Sequence, residues 1–216
     1  MFCGDDGSGG NPLAVFLDGA EVPGADRQAV AADLGLSETV FVEDAARGEI
    51  RIFTPTVELG FAGHPTVGTT WLLAREREPV RTLRPPAGEL AARYEGKSAF
   101  VTALPRWAPP FEHEQLGSPS QVDALDGPPR GRDAIGAWAW IDEEAGIVRA
   151  RVFAHRYGVP EDEATGAHAV RLCARLGRAL DIRQGRGSRI AARPANDLVE
   201  IGGRVELDEV RDYSLG

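Results

Sequence analysis

The chain has 216 residues, 43% of them hydrophobic, with a formal charge of −9 at pH 7 and a pI near 5.0. That length buries a sizeable core and leaves room for two lobes of about 100 residues each, while the acidic balance without a Lys/Arg cluster excludes a nucleic-acid partner, whose phosphates are held by clustered cations. No run of 18 apolar residues marks a membrane span, the first ten residues lack the cationic start and apolar stretch of a signal peptide, and only two cysteines, Cys3 and Cys173, are present, so the expected compartment is the cytoplasm.

The apolar run Leu13-Ala14-Val15-Phe16-Leu17, bounded by Asn11-Pro12 and Asp18-Gly19, predicts a buried strand. A helix is expected from Asp26, a good N-cap, to Gly35, a good terminator. Strands follow over 39–42 and 49–53, the second alternating with period two. A loop over 54–65 ends at Gly63 and Pro65, and from Thr66 the run Val67-Gly68-Thr69-Thr70-Trp71-Leu72-Leu73-Ala74 is apolar nearly all round, which predicts a helix enclosed by a sheet. The stretch 105–136 is rich in Pro and Gly and is read as a connection with irregular edge structure. Strands over 137–141 and 147–153 form a hairpin across Asp142-Glu143-Glu144-Ala145-Gly146. The second half then repeats the scheme of the first: Arg151-Val152-Phe153 echoes Arg51-Ile52-Phe53, and the loop 159–167 opens a second helix, with Ala169, Leu172, Cys173, Leu176 and Leu180 on one side and Arg171, Arg175 and Arg178 opposite. Gly63 and Gly166 stand 103 positions apart, which points to a pseudo-symmetric pair of lobes. The tail 198–207 is expected to be a hairpin turning at Gly202-Gly203.

Two glycine-bearing loops thus each open a helix. Free backbone N–H groups at such a start, with the positive end of the helix dipole, suit a carboxylate or a developing enolate. Titratable side chains stand beside both: Gly63-His64-Pro65-Thr66 in the first, and Glu161-Asp162 ahead of Thr165-Gly166-Ala167 in the second. No pair among His64, His113, His155 and His168 has zinc-like spacing to Cys or carboxylates, so no metal site is expected. Lys97 is the sole lysine and a weak candidate for Schiff-base chemistry. Cys173 falls on the apolar side of its helix and reads as core; His113, His155 and His168 read as surface or structural residues.

The stretches 10–16 (Gly-Asn-Pro-Leu-Ala-Val-Phe), 37–41 (Ser-Glu-Thr-Val-Phe), 51–55 through 61–68, and 161–167 resemble, in order, the signature motifs of the PhzF-like isomerase and epimerase family. The resemblance runs from Gly10 to the C-terminal hairpin. It implies an α+β fold like that of diaminopimelate epimerase, with two pseudo-symmetric lobes, each a mostly antiparallel sheet curled around a central helix, and the active site in the cleft between them. The expected boundaries are 1–104 for the N-terminal lobe and 105–195 for the C-terminal lobe, with the hairpin and tail over 196–216 a candidate for return to the first lobe. The resemblance also implies roles: Glu38 as general acid/base, His64 and Asp162 as residues that bind the substrate and handle its proton, and Gly63, Thr165, Gly166 and Ala167 as backbone donors to a substrate carboxylate. It implies cofactor-independent proton transfer on a small carboxylated metabolite, and a homodimer. The position of Glu38, ahead of a buried strand, agrees with the raised pKa such chemistry needs.

The chain departs from the family pattern at three points. Glu163 stands where the family has Pro, and Ala167 where it has Ser, which removes a hydroxyl from the carboxylate site. The stretch 105–136 is shorter than in typical members, so a trimmed second lobe is expected. Fewer residues precede Gly10 than the family's first strand needs, so either the start codon is misplaced or that strand is cut short. A non-catalytic homologue that binds a small ligand remains the alternative reading, and a lyase or hydratase using the same carboxylate a third.

Overall fold

The computed structural model describes residues 1–214. Strands β1 (Ala14–Phe16), β2 (Thr39–Asp44), β3 (Glu49–Phe53) and β4 (Glu58–Leu59) form a four-stranded sheet in chain order. β1 and β2 run parallel, with Ala14 opposite Thr39; parallel neighbours need a crossover, and helix α1 (Arg27–Leu34) lies within it. α1 stops at Gly35, whose φ of 63° is left-handed and free of a Cβ penalty. Its start is held differently from the expectation. Asp26 is itself helical and makes no side-chain cap bond. The buried Arg27 ties down the chain before it instead, donating to Val22 O at 3.0 Å and Gly19 O at 3.1 Å and pairing with Glu43. Phe41 stacks on Phe16 and meets Phe53 edge-on, giving this sheet its own small core with Val30 and Ala31 of α1.

Helix α2 (Gly63–Glu76) begins three residues before the expected Thr66. Pro65 does not delay it, because a first-turn proline lacks only an N–H that has no helical partner anyway. Of its fourteen residues, ten are buried, as an enclosed helix requires. Around it lies a large, mostly antiparallel sheet built from β5 (Thr82–Leu83), β6 (Leu90–Glu95), β7 (Ser98–Ala103), β8 (Glu112–Gln115), β9 (Ile135–Asp142), β10 (Ile147–Ala154), β11 (Val159–Asp162), β12 (Leu180–Gln184), β13 (Ser188–Ala195) and β14 (Leu198–Arg204). Its order is β5-β6-β7-β14-β13-β12-β10-β9-β8, with β11 added beside β10. Only β10 with β12 and β8 with β9 run parallel. The fold is therefore mixed α+β with few helices. Helix α4 (Gly166–Leu176) and α2 both pack on β14, which makes this strand the floor beneath the two helix starts.

Several local expectations change. The stretch 105–136 is more ordered than its Pro/Gly content suggests: it holds β8, a short helix α3 (Pro119–Asp123) capped by the Ser118 hydroxyl, and the start of β9. Leu180 belongs to β12, because α4 ends at the left-handed Gly177, φ 64°. Gly202 and Gly203 lie within β14, and the turn falls at Asn196-Asp197, between the paired Ala195 and Leu198, with Asn196 at φ 58°. Glycine is required at Gly202 for space, since a Cβ would strike the Phe100 ring and Ala99 O. Before Gly10 the chain makes a single β-bridge, Cys3 to Arg204, with the Phe2 side chain fully buried. No helix of the described residues is long and apolar enough to cross a membrane.

Candidate active site

The fold brings residues from four stretches to one place. Glu38 sits immediately before β2, His64 in the first turn of α2, Asp162 at the end of β11, and Thr165, Gly166 and Ala167 at the start of α4. The two helix starts abut: a Cβ on Gly63 would lie 2.6 Å from the Cα of Gly166. Neither start is capped by a side chain. Their first-turn N–H groups and the positive ends of two helix dipoles therefore converge, an arrangement suited to an anion.

Glu38 and His64 face each other, Oε2 to Nε2 at 3.3 Å, with side chains 16% and 4% exposed. Both atoms are buried and neither has a hydrogen-bond partner among the described residues. Unpaired buried polar atoms are costly and rare outside functional sites. Asp162 is fully engaged. Asn11 Nδ2 donates to its Oδ1 at 2.6 Å and the Thr165 hydroxyl to its Oδ2 at 2.7 Å. Gln184 of β12 locks that loop, donating to Asp162 O at 2.7 Å and to Thr165 Oγ1 at 2.8 Å, while its Oε1 accepts from Thr165 N at 3.2 Å.

These surroundings set the charges. Burial pushes the Glu38 carboxyl up to about 8, the nearby Asp162 carboxylate adds to the rise, and the Ser37 hydroxyl opposes it. Burial lowers His64 to about 3, with the Met1 ammonium adding to the effect. Burial raises Asp162 to about 6, against the donors Thr165, Ala164 N–H and Asn11. At neutral pH the site thus holds a protonated Glu38, a neutral His64 and an ionised Asp162.

The sign of the Glu38 shift gives a stability prediction. A folded-state value above the unfolded one means the native protein binds an extra proton between pH 4.5 and 8, so Glu38 weakens the fold progressively as pH rises through that window. Glu38→Gln is expected to raise the melting temperature by several degrees at pH 8.5, on the order of 2 kcal/mol. The gain should fade toward pH 4.5, which a pH series of thermal melts of both proteins will read; a pH-independent difference would refute it.

Asn11, Ser37 and Gln184 escaped assignment from sequence. Asn11 and Ser37 were in view within motifs but carried no chemical role of their own. Gln184 had one legible signal: it continues the inward alternation of Leu180 and Ile182 along β12, so a polar side chain falls on a buried face. The Glu163 carboxylate accepts from Arg186 N at 2.5 Å and Ser188 Oγ at 3.1 Å, which fastens the Asp162 loop to the β12–β13 turn. Ala167 is 8% exposed at the α4 start.

Two further candidates are buried within α4. Cys173 is buried, its thiol pushed up to about 12 by burial, and it contacts Arg178 O at 3.4 Å. His168, in the first turn of α4 itself, is fully buried and not at the surface, with its ring 4.9 Å from that of His113 on β8. Among the described residues no three His, Cys, Asp or Glu side chains converge to hold a metal ion. A surface groove of about 530 Å³ lies on the first sheet, lined in part by Glu49, Arg51, Glu58 and Arg84, and contains none of the residues above.

Residues 3–127 match the family described as phenazine biosynthesis-like protein, PhzC-PhzF. The chain is 32% identical to trans-2,3-dihydro-3-hydroxyanthranilate isomerase of Pseudomonas fluorescens, over 91% of this chain and 87% of that protein. It is 31% identical to the enzyme of the same name from Pseudomonas aeruginosa, over 82% and 77%. Among solved structures, a phenazine biosynthesis PhzC/PhzF protein from Clostridium difficile matches with a TM-score of 0.76 at 18% identity, over 96% of this chain and 94% of that one. A predicted epimerase from Pseudomonas aeruginosa matches with a TM-score of 0.64 at 25% identity, over 91% of each.

Proposed function

Since the chain belongs to the PhzC/PhzF family of phenazine biosynthesis-like proteins and is an isomerase of that family, we propose that it moves a proton on a small carboxylated metabolite without a cofactor, with Glu38 as general acid/base. One observation carries the reading: Glu38, buried and shifted to about 8, stands 3.3 Å from a neutral His64 at the junction of two uncapped helix starts. In this reading the substrate carboxylate lies against the backbone N–H groups of Gly63, Gly166 and Ala167, between the 1–104 lobe and the 105–195 lobe; the Thr165 N–H, expected to join them, is already taken by Gln184 Oε1. Binding at that point places a C–H bond beside Glu38. The ionised Glu38 takes the proton, the helix starts hold the charge that spreads into the conjugated acid, and the same carboxyl returns the proton to a second carbon, so that the reaction has no net change of atoms or electrons. His64, uncharged, hydrogen-bonds the substrate without competing for its proton, and the ionised Asp162 orients the second loop and faces any amino or hydroxyl substituent. Without the hydroxyl of a serine at Ala167, the carboxylate relies on backbone donors, which favours a more compact anion site.

The first compound to test is trans-2,3-dihydro-3-hydroxyanthranilate, on which the relatives named above act. Incubation in D2O, followed by proton NMR, is expected to show deuterium entering one ring carbon as the product forms. Binding without turnover or exchange, across that compound and a panel of cyclic and amino carboxylic acids, would overturn the isomerase mechanism in favour of a non-catalytic binder.

A further inference from the structure

Resting on the reading of Glu38 as the acid/base, we propose that Ser37 and Asn11 are positioning residues that join Glu38 to Asp162 through hydrogen bonds, the Ser37 hydroxyl swinging between the Glu38 carboxyl and Asn11 as a proton arrives or leaves. Asn11 is 4% exposed and every part of its side-chain amide is used. Its Nδ2 donates to Asp162 Oδ1 at 2.6 Å and to Ala164 O at 3.3 Å, and its Oδ1 accepts from Ser37 Oγ at 3.1 Å. This fixes the amide's orientation, since a flip would set its oxygen against a carboxylate and a carbonyl. The backbone of Asn11 is pinned as well, its N–H donating to Met1 O at 2.8 Å.

Ser37 has one proton to give, and two acceptors compete for it. A protonated Glu38 turns its own proton toward Ser37 Oγ and leaves the serine proton free for Asn11, to which Ser37 Oγ donates at 3.1 Å. When Glu38 is ionised, its carboxylate is the stronger acceptor and draws the serine proton away. Asn11 Oδ1 then loses its donor, the amide is less polarised, and its N–H groups hold the Asp162 carboxylate less well. The connection therefore works in the same direction as the direct repulsion between the two carboxylates: ionising one favours protonating the other. The other charged or titratable groups facing the pair are His64 from α2, the Met1 amino group beside His64, and Glu163 next to Asp162. None of them touches both carboxyls. Glu163, held in the β12–β13 turn, keeps the loop in place with a charge directed away from Asn11 into that turn.

The test is a carboxyl carbon-13 NMR titration of Glu38 and Asp162, run beside the pH profile of kcat/KM, for wild type, Ser37→Ala, Ser37→Thr and Asn11→Ser. Ser37→Ala is expected to raise the Glu38 midpoint by about half to one pH unit and to move the acid limb of kcat/KM equally. Ser37→Thr, which keeps the hydroxyl, should restore both. Asn11→Ser shortens the arm and should raise the Asp162 midpoint; it serves equally if a Ser37 variant misfolds. Lowered melting temperature or kcat with unmoved midpoints would show a merely structural role and overturn the proposal. Midpoints that move as expected while activity ignores Glu38 would instead sink the acid/base reading and leave the connection standing.

Discussion

Glu38→Gln is expected to lower kcat by about a thousandfold or more, the range that a positioned acid/base supplies, while ligand affinity falls far less. Glutamine keeps the size and the hydrogen-bonding reach of a protonated carboxyl, which is the form the resting site holds at neutral pH. Binding to the helix starts therefore persists, and only the proton transfer is lost. The wild-type pH profile supplies the second half of this prediction. If the ionised form is the base and its midpoint lies at about 8, roughly one molecule in ten is active at pH 7 and one in two at pH 8. The kcat/KM of wild type should accordingly rise about fivefold between those values and level off near pH 9. The same measurement on Glu38→Gln should show no such limb in its residual rate. A variant that keeps more than a tenth of wild-type turnover, or a wild-type profile flat from pH 6 to 9, would rule out Glu38 as the base. The gain in stability expected of the same variant at high pH gives an independent check, because it depends on burial of the carboxyl and not on any substrate.

The parts of this molecule that were legible in the sequence are those governed by local rules. Gly35 and Gly177 end helices because a left-handed residue must stand there, and Ile50 and Ile52 alternate with Arg51 because one side of β3 is buried. The ordered motifs around Asn11, Glu38, His64 and Thr165 identified which residues to follow. What escaped was set by distant partners. The strands β6 and β7 carry ordinary mixed sequences, and the place of β7 beside β14 depends on a pairing about 100 positions away, Val101 with Ile201. Gly202-Gly203 reads as a turn by composition, yet it is flat strand because Phe100 occupies the space of a side chain. The link from Gln184 to Thr165 joins a strand to a loop 19 positions before it, with no motif to announce it. The N-cap expected of Asp26 failed because its own backbone is helical, at φ −93° and ψ −20°, whereas a capping side chain reaches the first N–H groups from an extended backbone.

The second large effect is expected at the glycine contact itself. In Gly166→Ala the new Cβ would lie 2.7 Å from Gly63 Cα and 3.0 Å from both Gly63 C and His64 N. All three are backbone atoms of a buried helix start, so nothing can swing aside and the two helices must separate. Alanine favours a helix by at most about 1 kcal/mol over glycine, and less in a first turn, whereas overpacking of this kind costs about 1–3 kcal/mol or more. The clash therefore wins, and a net loss of about 2 kcal/mol is expected in urea unfolding. Activity should fall further than stability explains, by about a hundredfold at a temperature where the variant is fully folded, because parting the helix starts misplaces both the anion donors and His64 relative to Glu38. Gly24→Ala is the control: it meets nothing within 4 Å, so it should leave both quantities unchanged. Wild-type stability and turnover in Gly166→Ala would mean that the contact between the helices is incidental. Loss of turnover in a folded Gly166→Ala, with Gly24→Ala unaffected, would show that the two glycines are there to let two positive helix ends share one anion.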